Sequence, residues 1–136
     1  MYFTIEDLKK GIFGEVLQAV ARDEDNTRTA IDDAIHEVSS YLTARYDLDK
    51  EFQKTESARC AMVVKLIRDI ALYNCYSINN PVGMPETRRK KYEDAIAFLR
   101  QVQREKTALD LPRLQGEQSP SNFVAFGSNK KRQNQF

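Results

Sequence analysis

The residues able to do chemistry in this chain are few and scattered. Its single histidine, His36, falls in "DDAIHEVSSYL", one step off the apolar stripe of a helical pattern. A catalytic histidine needs a nucleophile or a carboxylate held against it at fixed geometry, whereas Asp32, Ser39 and Ser40 are only its helix neighbours. The two cysteines, Cys60 and Cys75, lie in one apolar helical pattern about 22 Å apart along its axis, beyond disulfide reach. They read as small buried hydrophobes in a reducing compartment. One histidine and two separated cysteines do not make a structural zinc set. Gly11, Gly14, Gly83, Gly116 and Gly127 are too dispersed for a phosphate-cradling loop. Carboxylate runs such as Asp32-Asp33 and Asp23-Glu24-Asp25 match solvated surface charge. The expectation is a protein that is not an enzyme, with no catalytic residue, metal or cofactor.

One charged feature asks for a different explanation. In "YNCYSINNPVGMPETRRKKYEDAIAFL" an apolar helix stops at Asn-Asn-Pro-Val-Gly and another begins behind Arg88, Arg89, Lys90 and Lys91. A helix start is already positive, so each exposed cation there costs about 0.3–1 kcal/mol. Four consecutive residues span a full turn and do not share a face. Local neutralisation by Glu86, Glu93 and Asp94 through i,i+3 and i,i+4 pairs is the economical reading. The functional one is a basic collar that meets phosphate or a partner's carboxylates. Sequence-specific DNA readout is disfavoured, because no helix-turn-helix with a compact glycine turn is recognisable.

The elements that position these residues are helical. Thr4 caps a short first helix, Asp7 completes a variant capping box, and Phe3 with Leu8 forms a hydrophobic staple. Gly11 and Gly14 interrupt it before "GEVLQAVA". From Thr27 or Thr29, Ile31, Ile35, Val38 and Leu42 recur on one face, predicting a helix that ends near Tyr46. "DLDKEFQKT" reads as a polar connection. Cys60, Val63, Val64, Ile67, Ile70 and Ala71 set out a second long helix, apolar around more of its circumference and so the most buried. A third, opened by Met84-Pro85-Glu86, carries Tyr92, Ala95, Ile96, Leu99 and Val102 to about Lys106. Ile35, Val38, Leu42, Val63, Ile67, Ile70, Ile96, Leu99 and Val102 are the expected core. The fold class is all-α: a small antiparallel bundle of three long helices plus a short N-terminal one.

Length and charge agree with one domain. The chain has 136 residues, with 21 Lys and Arg against 20 Asp and Glu, so it exerts no global pull toward nucleic acid or membrane. From Arg113 onward, however, Arg113, Lys130, Lys131 and Arg132 face only Glu117. The division is thus a helical domain over 1–112 and a polar, basic tail over 113–136. Within the tail, "NFVAF" places Phe123, Val124 and Phe126 in an extended aromatic segment suited to a partner's sheet edge. No stretch approaches the ~20 apolar residues of a membrane span, and "MYFTIEDLKK" lacks the pattern of a signal peptide. A soluble intracellular product is expected.

Four stretches in order resemble the Mu-like family of small phage head–tail joining proteins. They are "YFTIEDL" with "FGEVLQAV", then "AIDDAIHEVSSYLTARYDL", "LIRDIALYNCY" and "RRKKYEDAIAFLRQVQREKTALDL". The resemblance covers 1–111 and leaves the tail outside. It departs from the family at Glu105, where glycine is usual, so the last helix is expected to run further. It departs again near Asp49, where a proline is frequent.

The resemblance implies a virion protein, present in the host cytoplasm before assembly. It would form a homo-oligomeric ring on the portal vertex of a filled capsid, touching portal, tail-side completion protein and, through its channel, DNA. In a ring, Arg88, Arg89, Lys90 and Lys91 would be multiplied into a charged belt facing Asp23, Glu24 and Asp25 of the next subunit, or the portal. Independently of the resemblance, the tail's own residues, Phe123, Val124 and Phe126 with Lys130, Lys131 and Arg132 behind them, are expected to bind a partner. The alternatives are a small nucleic-acid-binding protein of a mobile element, using the basic cluster and tail, and a regulatory helical module that binds a host protein.

Overall fold

The computed structural model describes residues 2–20 and 22–114. Thr4 opens helix α1, Ile5–Lys9: the Asp7 N–H donates to Thr4 Oγ1 at 3.4 Å, and the Thr4 N–H donates to Asp7 Oδ2 at 3.0 Å. This is a capping box with aspartate in the acceptor role, and Phe3 and Leu8 on either side of it are both fully buried. The chain then turns at Gly11, where a Cβ would collide with the Arg68 side chain. Helix α2, Gly14–Val20, follows.

Helix α3, Glu24–Leu42, begins earlier than Thr27 and ends before Tyr46. Asp23 is the reason for the early start. Its Oδ1 accepts from the Asp25 and Asn26 amides at 3.0 and 3.2 Å, which places Glu24 and Asp25 in the first turn, where the dipole favours acids. The Asp23–Asp25 run is therefore a helix start and not a loop. The expected polar connection contains a fourth helix, α4, Leu48–Phe52, capped by Asp47 through the Lys50 amide at 3.2 Å. Five residues are too few for a period to show, and its buried positions, Leu48 and Glu51, include a carboxylate.

Helix α5, Ala61–Asn79, is the centre. Asn26 Nδ2 donates to Asn79 Oδ1 at 3.4 Å and Asn74 Nδ2 to the Ala30 carbonyl at 3.1 Å, so α3 runs antiparallel to α5. Helix α6, Glu86–Gln103, packs on both. Tyr92 stacks on Tyr73 with centroids 4.0 Å apart and donates to Glu37 Oε2 at 3.2 Å. Val38, Leu42, Val63, Ile67, Ile70, Ile96, Leu99 and Val102 are all buried in one cluster, and Ile35 sits half-buried at its edge. Phe3, Leu8, Tyr46, Leu109 and Leu111 join them.

Helix α6 does not run further at Glu105. The Glu105 amide donates to the Val102 carbonyl at 3.0 Å and the Lys106 amide to the Gln101 carbonyl at 2.9 Å, the two bonds of a Schellman stop. Glu105 occupies the glycine position at φ 62°. Arg45 caps the same end, its Nη1 donating to the Val102 carbonyl at 2.6 Å. Beyond it the chain folds back as a strap: Tyr46 Oη accepts from the Leu109 amide at 3.0 Å and the Asp47 amide donates to the Pro112 carbonyl at 2.7 Å. Arg113 then pairs with Tyr46 in an antiparallel bridge. The body thus extends past Pro112 to include at least Arg113 and Leu114.

A β-carbon in the left-handed region is unfavourable by about 1–2 kcal/mol, offset in part by the extra unfolded-state freedom of glycine. Glu105→Gly is therefore expected to stabilise the fold by about 0.5–1 kcal/mol in chemical denaturation. A loss of stability would mean that the Glu105 side chain holds the helix end in some other way.

Candidate functional site

The four-residue basic cluster divides when folded. Arg88 turns inward: its side chain is 11% exposed, Nη1 lies 3.7 Å from Asp69 Oδ1, and Nη2 donates to the Gly11 carbonyl at 3.3 Å. Asp69 is itself buried on α5, where Lys65 Nζ approaches Oδ2 at 3.0 Å. Arg88 thus ties the start of α6 to the middle of α5 and to the N-terminal turn. Lys90 meets Asp94 at 3.6 Å on the surface. Arg89 and Lys91 are exposed and make no ion pair among the described residues. Of Glu86, Glu93 and Asp94, the expected neutralising acids, only Asp94 pairs with the cluster.

Asp23, Glu24 and Asp25 are exposed at the same end of the bundle, since the Asn26–Asn79 bond brings the start of α3 to the end of α5. Glu24 pairs with Arg28 at 3.7 Å. His36 is exposed on α3, and Asp32 and Asp33 beside it are exposed as well. Phe123, Val124, Phe126, Lys130, Lys131 and Arg132 lie outside the described residues.

Two further polar centres hold the N-terminal segment, and neither was legible as a site. Arg59 clamps both oxygens of Asp7, at 2.9 and 3.2 Å, and donates to the Tyr2 carbonyl at 2.8 Å. Burial alone would raise the Asp7 pKa, but the hydrogen bonds from Arg59 and Thr4 outweigh it and hold the carboxyl down at about 2. The same pair raises the Arg59 pKa. Arg68 Nε donates to the Asp7 carbonyl at 3.1 Å. Glu51, fully buried, accepts from Tyr2 Oη at 2.6 Å and from the Cys60 amide at 2.7 Å through Oε2, while Oε1 faces Lys54 Nζ at 3.0 Å. Burial, reinforced by Glu51, pushes the Tyr2 hydroxyl well above its ordinary range. Burial opposes ionisation of Glu51, yet its donors leave it lowered.

What these groups do chemically is hold. Asp7, Glu51 and Asp69 each meet at least one donor from another element, so their charge is committed to position, although Glu51 Oε1 faces Lys54 without accepting a hydrogen bond. Burial pushes the Cys75 thiol up to about 11, which keeps it protonated and unreactive at neutral pH. Among the described residues no group of three or more His, Cys, Asp or Glu is placed to hold a metal ion. No helix among them is long and apolar enough to cross a membrane. An open groove of about 840 Å³ runs between the α4–α5 connection, α6 and the strap, with Cys60, Met62, Phe98 and Leu111 on its walls.

The divided cluster has a direct consequence. Arg88→Met leaves Asp69 short of a cation and the Gly11 carbonyl without its donor, an expected loss of about 1–3 kcal/mol. Arg89→Met changes an exposed, unpaired side chain and should fall within about 0.5 kcal/mol. Urea titrations of the two variants check this, and equal effects would contradict the division.

Residues 2–126 match the family model described as Bacteriophage Mu, Gp36. The match runs beyond the helical body and takes in Phe123, Val124 and Phe126, which the sequence resemblance had left outside. No curated protein matches the chain. With all but the first residue and the last ten inside it, the match establishes that this chain belongs to the bacteriophage Mu Gp36 family of phage proteins.

Proposed function

We propose that this protein is a head–tail connector subunit that assembles as a ring on the portal vertex of a filled capsid and receives the tail. The observation that carries the reading is the family match over residues 2–126. The build of the body is compatible with it. Long-range polar clamps from Arg45, Arg59, Arg68 and Arg88 fix the N-terminal segment and the strap on the helices. A body held in this way would dock with little change of backbone shape, as preorganised partners do. Its partners would be copies of itself, the portal and a tail-side completion protein, and its place the virion after a period in the host cytoplasm. No catalytic step or cofactor enters this role.

The nucleic-acid reading is weakened by the fate of the basic cluster. Arg88 is engaged inside the fold and Lys90 is paired with Asp94. Within the cluster, Arg89 and Lys91 are left to neutralise about two phosphates, a salt slope of roughly −2, so a committed DNA binder with 6–10 contacts would need the tail's Lys130, Lys131 and Arg132 and further surface arginines as well.

The test adds purified protein to DNA-filled, tailless heads and images the vertices by electron cryomicroscopy. Rotationally symmetric density on the portal is expected. Bare portals, together with steeply salt-dependent retention on plain duplex DNA, would overturn the connector role in favour of nucleic-acid binding.

A further inference from the structure

The outer faces of α3 and α6 carry opposite charge, and neither charge is spent among the described residues. At 100° per residue, Asp25, Asp32 and Asp33 point away from the α3 stripe formed by Thr27, Ala30, Ile31, Ala34 and Val38. All three are exposed and make no ion pair among the described residues. On α6, Arg89 and Arg100, with Arg104 at its C-cap, share one flank beside the buried Ala95, Ile96, Leu99 and Val102. They too are exposed and without an ion pair among the described residues. Glu93 is the one acid between them on that flank, and Arg28 the one cation at the edge of the acidic stripe, where Glu24 already holds it. The acidic stripe is about 12 Å long and the arginine flank about 22 Å, at 1.5 Å per residue.

Resting on the ring reading above, we infer that neighbouring copies join through a charge-paired seam, the Asp25–Asp32–Asp33 face of α3 in one copy against the Arg89–Arg100–Arg104 flank of α6 in the next. The two stripes lie on different helices of one bundle. A copy engaged through α3 therefore still offers α6, so addition is head-to-tail and closes into a ring where the rotation permits. Opposed fields of this kind set register and exclude wrong pairings more than they add raw affinity. The seam uses neither Arg88 nor the Asp23 cap, because both are occupied by the fold.

Two charge-reversed proteins test it: Asp32→Lys with Asp33→Lys, and Arg89→Glu with Arg100→Glu. All four sites are exposed, so both proteins should melt as the unaltered chain does. Occupancy of tailless heads and sedimentation at low salt are then read for each protein alone and for their equimolar mixture. Each alone should bind its own kind at least about 100-fold more weakly, since like charges face each other across every seam. The mixture should recover association, because each junction between unlike copies again joins opposite faces. Normal assembly by either reversed protein alone would overturn the seam while leaving the ring intact, as would a mixture that stays apart. Unaltered protein that neither self-associates nor occupies heads would overturn the ring itself, and the seam with it.

Discussion

The fold depends on the burial of α5. Buried residues on this helix, from Val63 to Tyr76, point in every direction around its axis. Two helices cannot enclose a third. α3 and α6 cover two sides, and the remaining surface must be closed by what is left of a short chain. The N-terminal segment does this, with Phe3 and Leu8 fully buried and α1 and α2 both lying against α5. A five-residue helix has no stability of its own. It persists because its place is fixed from outside.

That fixing is polar, and it answers why cations stand at the start of α6. Arg59, Arg68 and Arg88 reach the N-terminal segment from the α4–α5 connection, α5 and α6, and end on Asp7 or on the carbonyls of Tyr2, Asp7 and Gly11. An arginine at a helix start is disfavoured when it hangs in solvent. Arg88 instead leaves the dipole and meets the buried Asp69, which would otherwise lack a second cation. Planar, multiply donating guanidinium suits such shared contacts better than an ammonium. Lys90 pairs with Asp94 on the surface, and Arg89 and Lys91 stay exposed, so four adjacent residues meet three different environments.

The long helices were readable because a 3.6-residue period repeats over many turns, and the core list drawn from that period holds apart from Ile35, which falls at the edge. Ends were less legible. Asp23 and Glu105 set the bounds of α3 and α6 by capping, and Glu105 does so from a backbone conformation that its residue type gives no reason to expect. α4 escaped for lack of length. The polar centres escaped for a different reason: Asp7 with Arg59, Glu51 with Tyr2, and Arg88 with Gly11 are far apart in sequence, and no local pattern pairs them. Asp69 is the one acid in α5, but Lys65 and Arg68 stand beside it, so nothing local marked it as the partner of Arg88. Arg45 and Tyr46 lie in one of the stretches that carry the resemblance, but their roles emerged only with the strap they hold, through Val102, Leu109 and Arg113.

Native-state hydrogen exchange measures the dependence of α5 on its third wall most directly. The Leu8 and Gly11 amides donate to the Thr4 and Leu8 carbonyls within the N-terminal segment. If that segment closes the surface of α5, these amides exchange through the same opening as those of Ile70 and Leu72, with the same free energy. Free exchange of Leu8 and Gly11, with Ile70 and Leu72 still protected at the global level, would show that α5 stays buried without the N-terminal segment.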